Sequence, residues 1–171
     1  GSGKTRVLTH RIAHLIENDN INPFQILAIT FTNKAAQEMK DRVTALVGPV
    51  AEKMWVSTFH SACVRILRRD AEQLGYPSTF SIYDQADAVR LTGYVARDLG
   101  LDTKKFVPRS VHSHISNLKN ELVSTQQALE KAEGVFDRKI AEIYEEYQRR
   151  LRNSGAMDFD DLLNVTVELF S

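Results

Sequence analysis

"QILAITFTNKAAQEMKDRV", residues 25–43, changes its apolar period halfway along, and that change decides the fold. Residues 25–31 are a short, apolar, β-branched run, the pattern of a strand buried in a parallel sheet. From Asn33 the spacing becomes helical, with Ala36, Met39, Val43 and Val47 on one stripe and Asn33 placed to cap the helix. Gly48-Pro49 stops it. The same step recurs downstream: "MWVST", residues 54–58, reads as a strand, followed by a helix from about Phe59 to Gln73. Upstream, residues 4–17 place Val7, Leu8, Ile12, Leu15 and Ile16 on one helical face. Strand and helix alternating in this way predict an α/β fold, with a parallel sheet carrying helices on its faces.

Past "GYPST", residues 75–79, the pattern becomes helical. Asp84 is placed to cap one helix, Pro108 opens another, and residues 136–155 form a long amphipathic helix with Ile140, Ile143, Tyr144, Tyr147 and Leu151 on its stripe. Beyond Ser81-Ile82-Tyr83 no strand is expected between residues 79 and 156, so this block reads as an all-helical inserted subdomain. The closing "MDFDDLLNVTVELFS" begins a fresh helix capped by Asp158. Two stretches imitate sites. "FSIYDQ" resembles a strand ending in an acid, but Asp84 serves better as a cap. Asp158, Asp160 and Asp161 resemble a metal cluster, yet at a helix start they read as cap and dipole partners.

A chain of 171 residues with 43% apolar content suffices for one domain, or for a domain carrying an insertion. The 22 basic and 22 acidic residues balance, so no global attraction to phosphate is implied. The imbalance is local: residues 157–171 carry four acids and no Lys or Arg. No apolar run reaches membrane-spanning length and no leader pattern precedes the first helix, so a membrane or secreted location is not expected. The single cysteine, Cys63, fits a reducing cytoplasm and reads as a buried hydrophobe.

Three places carry chemistry. "GSGKT", residues 1–5, has the form of the second half of a phosphate-binding loop, G-x-x-x-x-G-K-S/T. In such a loop backbone amides at a helix start cradle the anion, the lysine neutralises the β/γ-phosphates and the hydroxyl holds Mg²⁺. A helix follows Lys4 at once, as the loop requires. The second place is the end of the first strand, where Phe31, Asn33 and Lys34 meet at the edge that binds ligands in open α/β sheets. An aromatic beside an amide and an ammonium suits a single strand of nucleic acid, although spacing alone leaves Phe31 equally compatible with the core. Third, Thr58, Phe59 and His60 repeat this strand-to-helix position. Thr58 and His60 can hydrogen-bond a phosphate, while Arg65, Arg68 and Arg69 read as a solvated face.

"GSGKTRVLTHRIAHLI", "ILAITFTNKAAQEMKDRV", "VSTFHSACVRILRR", "FSIYDQADAVRL" and "MDFDDLL", in this order, resemble the amino-terminal part of UvrD/PcrA/Rep-type superfamily 1 DNA helicases. The resemblance covers essentially the whole chain. It implies a partial RecA-like P-loop motor domain formed by residues 1–78 and 157–171, with residues 79–156 as the inserted helical subdomain that touches duplex DNA. It implies ATP and Mg²⁺ as cofactors, with Lys4 and Thr5 catalytic. Gly1, Ser2, Gly3, Lys4, Thr5 and Arg6 would bind nucleotide, Thr5 holding the metal through its hydroxyl and Arg6 stacking on adenine. Phe31, Asn33, Lys34, Thr58 and His60 would line the single-stranded DNA track, with Phe31 stacking a base. The implied activity is ATP-dependent 3′-to-5′ translocation on single-stranded DNA and at single-strand/duplex junctions, in DNA repair or replication, with repair proteins as possible partners.

The resemblance also implies parts beyond these residues: the first loop glycine, an acidic strand end and a second motor domain with arginine fingers. The 171-residue chain by itself is therefore expected to be inactive. Three other functions compete: a P-loop kinase, a RecB/AddA-like nuclease-helicase motor, and a non-catalytic module binding DNA or a partner. The strand end at residues 28–36 separates the first, since a small-molecule kinase needs no aromatic-amide-lysine edge.

Overall fold

The computed structural model describes residues 2–171, which divide into two compact units between Ala62 and Cys63, within one helix.

The first unit contains α1 (Ser2–Glu17), β1 (Leu27–Thr30), α2 (Asn33–Val47), β2 (Trp55–Thr58) and the start of α3 (Phe59–Asp70). β1 and β2 pair in parallel, with Leu27 opposite Trp55 and Thr30 opposite Thr58. Ile12, Ala28, Met39, Val43, Ala51 and Met54 form the core between helices and strands. Gly48 ends α2 as expected, at φ 85°, a backbone that strains any residue with a Cβ.

Two expectations need correction here. The buried stripe of α1 is Thr9, Ile12 and Ala13, not one that includes Val7 and Leu8, which are exposed. Thr9 tolerates burial because its hydroxyl donates to the Thr5 carbonyl at 2.7 Å. And α2 is capped by Thr32, whose hydroxyl accepts the Ala35 amide at 3.0 Å, leaving Asn33 as the first helical residue.

The second unit continues from α3 into a short 3₁₀ turn, Ala71–Leu74, then β3 (Ser81–Tyr83), α4 (Gln85–Asp98), α5 (Pro108–Asn120), α6 (Thr125–Lys131), α7 (Gly134–Asn153), β4 (Ala156–Asp158) and α8 (Phe159–Leu169). The four helices α4 to α7 are framed by a parallel strand pair, with Ser81 opposite Ala156 and Tyr83 opposite Asp158. The block is thus not purely helical. "FSIYDQ" is both a strand and a helix start, for Asp84 forms a reciprocal capping box with Asp87. β4 has no counterpart in the sequence reading. The expected α7 stripe is buried throughout and packs against Val95, Ala96, Val111 and Ile115. A second cluster gathers Leu67, Phe80, Met157, Leu162 and Val165, together with the buried thiol of Cys63.

Candidate functional site

In the first unit both strands end at the same register, so the residues that follow, Phe31 and Phe59, leave the sheet at one carboxyl edge. At the first exit the Thr30 hydroxyl donates to the Thr32 carbonyl at 3.1 Å, and the Thr32 hydroxyl then caps α2. These local bonds turn the chain from extended to helical within two residues. The turn holds Phe31 out of the core: it is 93% exposed, the most exposed large hydrophobic side chain among the described residues. Asn33 and Lys34 follow it, both exposed.

At the second exit the Thr58 hydroxyl accepts the Ser61 amide at 3.3 Å and donates to the Ser61 hydroxyl at 2.9 Å. Thr58 thus caps α3, a task the sequence reading did not give it. His60 is exposed on the first turn. Neither α2 nor α3 has an acid in its first turn, so the positive ends of the two helix dipoles meet no acid of their own first turns. An aromatic face, an amide, an ammonium and two such helix starts share one edge, an arrangement suited to bases and phosphates.

The residues expected to form a phosphate loop fall at the start of α1. Gly1 and the side chain of Ser2 fall outside the described residues. Gly3, Lys4 and Thr5 occupy the first helical turn, with Lys4 exposed and Thr5 half-buried. Open space surrounds the position a Gly3 side chain would take. An accessible lysine on an open helix start fits a phosphate anion. Arg6 shares a shallow depression of about 380 Å³ with His10, Arg42 and Leu46, between α1 and α2.

Of the three arginines on α3, Arg68 is not simply solvated. Its guanidinium lies 3.9 Å from the Phe80 ring centre and donates to the carbonyls of Ser78, at 2.9 Å, and Phe80, at 2.6 Å. Arg69 pairs with Asp70 at 2.7 Å.

The second unit holds a buried charge cluster that sequence reasoning missed. Lys119 of α5, 2% exposed, sits 2.9 Å from Asp158 and 2.8 Å from Asp161, and also donates to the Gln148 side-chain carbonyl at 2.9 Å. Tyr147 donates to Asp158 at 2.7 Å, and the Gln148 amide donates to Asp161 at 2.9 Å. Asp158 and Asp161 form the capping box of α8, as the cap reading of these acids required. Burial opposes the Asp158 charge, but the Lys119 ammonium and the hydrogen bonds outweigh it and hold this carboxyl below the usual range. Burial and the neighbouring Asp158 push Asp161 up. Oxygen and nitrogen atoms of His112, Asp158 and Asp160 come within 4.8 Å of one another, as metal ligands would. They are already engaged: Gln85 and Tyr147 approach His112 at 3.3 and 3.5 Å, and Ser116 donates to Asp160 at 2.8 Å. Lys119 supplies the positive charge that a metal would bring. The available signal was its position: 119 continues the α5 stripe of Val111 and Ile115 at helical spacing.

Parallel strands flanked by helices define an α/β protein. The family is specific: residues 1–171 match the UvrD/REP helicase N-terminal domain, and the chain belongs to that family. It is 49% identical over 170 residues to the ATP-dependent DNA helicase PcrA of Bacillus subtilis (strain 168). It is 51% identical over the same length to the PcrA helicases of Staphylococcus aureus (strain Mu50 / ATCC 700699) and Staphylococcus epidermidis (strain ATCC 35984). In each case the match covers 99% of this chain and 23% of the relative, so the chain spans about a quarter of their length. Among the described residues no helix is long and apolar enough to cross a membrane.

Proposed function

We propose that this chain is the amino-terminal portion of an ATP-driven motor that moves 3′-to-5′ along single-stranded DNA, and that the edge where β1 and β2 end is its strand-binding track. Residues 1–78 and 157–171 belong to a RecA-like P-loop motor domain, and residues 79–156 are an insertion directed at duplex DNA near the junction. The single observation that carries the reading is Phe31, an almost fully exposed aromatic held out of the core at the carboxyl end of a parallel strand.

Bases stack on Phe31, while Asn33, Lys34 and His60 hold the sugar-phosphate chain beside the two helix starts, and Thr58 lines the track as the cap that sets the second of them. Gly1, Ser2, Gly3, Lys4, Thr5 and Arg6 serve ATP, Lys4 meeting its phosphates and Arg6 its base. Bound Mg²⁺ supplies charge neutralisation at those phosphates, and the Thr5 hydroxyl is the group on α1 suited to hold it. The 171-residue polypeptide by itself does not hydrolyse ATP. Asp158 at the end of β4 and Asp161 in the first turn of α8 are tied to Lys119 and offer no free carboxylate to a metal or to a water.

Fluorescence anisotropy with short labelled oligonucleotides tests the track. Binding is expected to be weak, indifferent to base sequence and salt-sensitive, with a shallow slope of about −0.7 per phosphate neutralised. Absence of single-strand binding at low salt, or a tenfold preference for one sequence, contradicts the proposal.

A further inference from the structure

We infer that Phe59 is a second base-stacking platform beside Phe31. The inference rests on the strand-binding reading above and extends it to a residue that reading does not use. Three observations carry it. Phe59 is 50% exposed although it follows the last residue of a paired strand, where the neighbouring apolar positions turn inward to Met54 and Ala62. Thr30 and Thr58 are directly opposed in the parallel ladder, so Phe31 and Phe59 are the next residues on adjacent strands. Adjacent strands lie about 4.8 Å apart, which sets the two aromatic positions about one strand spacing apart at the edge. Finally, the Thr58 hydroxyl is committed to Ser61, so it fixes the start of α3 and with it the direction in which Phe59 leaves the sheet.

A single aromatic platform stacks one base and leaves its neighbour free to turn. Two platforms on adjoining strands hold successive bases and fix the spacing of the strand between them. Phe59 therefore contributes through the base face, with no preference among bases and no dependence on phosphate. His60, one residue further on, is exposed as well.

Anisotropy titrations of the 171-residue chain against oligothymidylate, and against an abasic strand of equal length, test this. Phe59→Ala is expected to weaken oligothymidylate binding roughly 5- to 150-fold and to leave abasic-strand binding unchanged, while Phe59→Tyr binds like the parent. Circular dichroism confirms that each variant retains the parent's helical signal. Parent-like binding of oligothymidylate by a folded Phe59→Ala overturns the inference. So does an equal loss on both strands, which marks Phe59 as merely supporting the edge. Should Phe59→Ala fail to fold, Phe59→Leu takes its place, with the same loss confined to the base-bearing strand expected and parent-like binding overturning the inference. The Phe31→Ala control separates the two proposals. If Phe31→Ala weakens binding and folded Phe59→Ala does not, the inference alone fails; if the parent does not bind, or Phe31→Ala binds normally, the track itself is wrong.

Discussion

Replacing Lys119 by methionine keeps most of the side-chain volume and removes the one cation in a buried cluster. The ammonium lies 2.9 Å from Asp158, 2.8 Å from Asp161 and 2.9 Å from the Gln148 carbonyl. Without it, Asp158 keeps Tyr147 and Asp161 keeps the Gln148 amide, but two carboxylates face each other with no counter-charge. Removing one partner of a buried pair costs about 3–5 kcal/mol. The penalty has a definite pH dependence. In the variant both carboxyls lose their cation, so their folded-state pKa values rise above the unfolded ones. Groups shifted upward add stability at low pH and lose it as pH rises through the folded value. Asp161, already raised by burial in the parent, takes up the first proton. The parent's lowered Asp158 works oppositely, losing its contribution only as pH falls through its depressed value, below the window of interest. The gap between parent and Lys119→Met is therefore widest near pH 7.5 and narrows by about pH 5. Urea unfolding followed by helical circular dichroism at the two pH values measures it. Replacing all three charges, as Lys119→Met with Asp158→Asn and Asp161→Asn, is expected to recover most of the loss, because asparagine still caps α8. A loss below about 1 kcal/mol near neutrality, or a gap that does not narrow on acidification, refutes the cluster's assigned role.

Thr32→Ala removes the α2 cap and is expected to cost about 1 kcal/mol in unfolding of the first unit, read by Trp55 fluorescence, whereas Asn33→Ala changes little. Gly155→Ala places a Cβ 3.0 Å from Pro77 at φ 58°, so a loss of at least about 1 kcal/mol is expected in the thermal unfolding of the second unit. The purified 171-residue chain is expected to release no phosphate from ATP above background, with or without DNA; release that disappears in Lys4→Ala contradicts this.

Much of the fold was legible because it rests on local signals. The β-branched run before Asn33, the stripe of α2, the Gly48 stop and the Asp84 and Asp158 caps each act within a few residues. What escaped depends on distant partners. β4 is three residues long and exists because residues 156–158 find Ser81–Tyr83 far back in the chain. Asn33 and Thr32 are both good caps, and the choice falls to Thr32 because its carbonyl is anchored by Thr30, one residue before the expected turn. The α1 stripe went to Thr9 rather than Val7, since a threonine bonded to its own helix behaves as an apolar residue. The burial of Lys119 was not legible because a lysine stem and a buried ion-pair partner look alike until the acids of another helix arrive. At the site, residue types and their place at strand ends were readable. The exposure of Phe31 was not, since the sequence left it balanced between core and surface.

The central claim, that the edge where β1 and β2 end receives single-stranded DNA through Phe31, is tested most directly by anisotropy titrations of parent, Phe31→Ala and Lys4→Ala against labelled single strands of unrelated sequence. Phe31→Ala is expected to lose roughly 1–3 kcal/mol of binding on every sequence, while Lys4→Ala, whose role lies with nucleotide, binds like the parent. A folded Phe31→Ala that binds all strands as tightly as the parent contradicts the account.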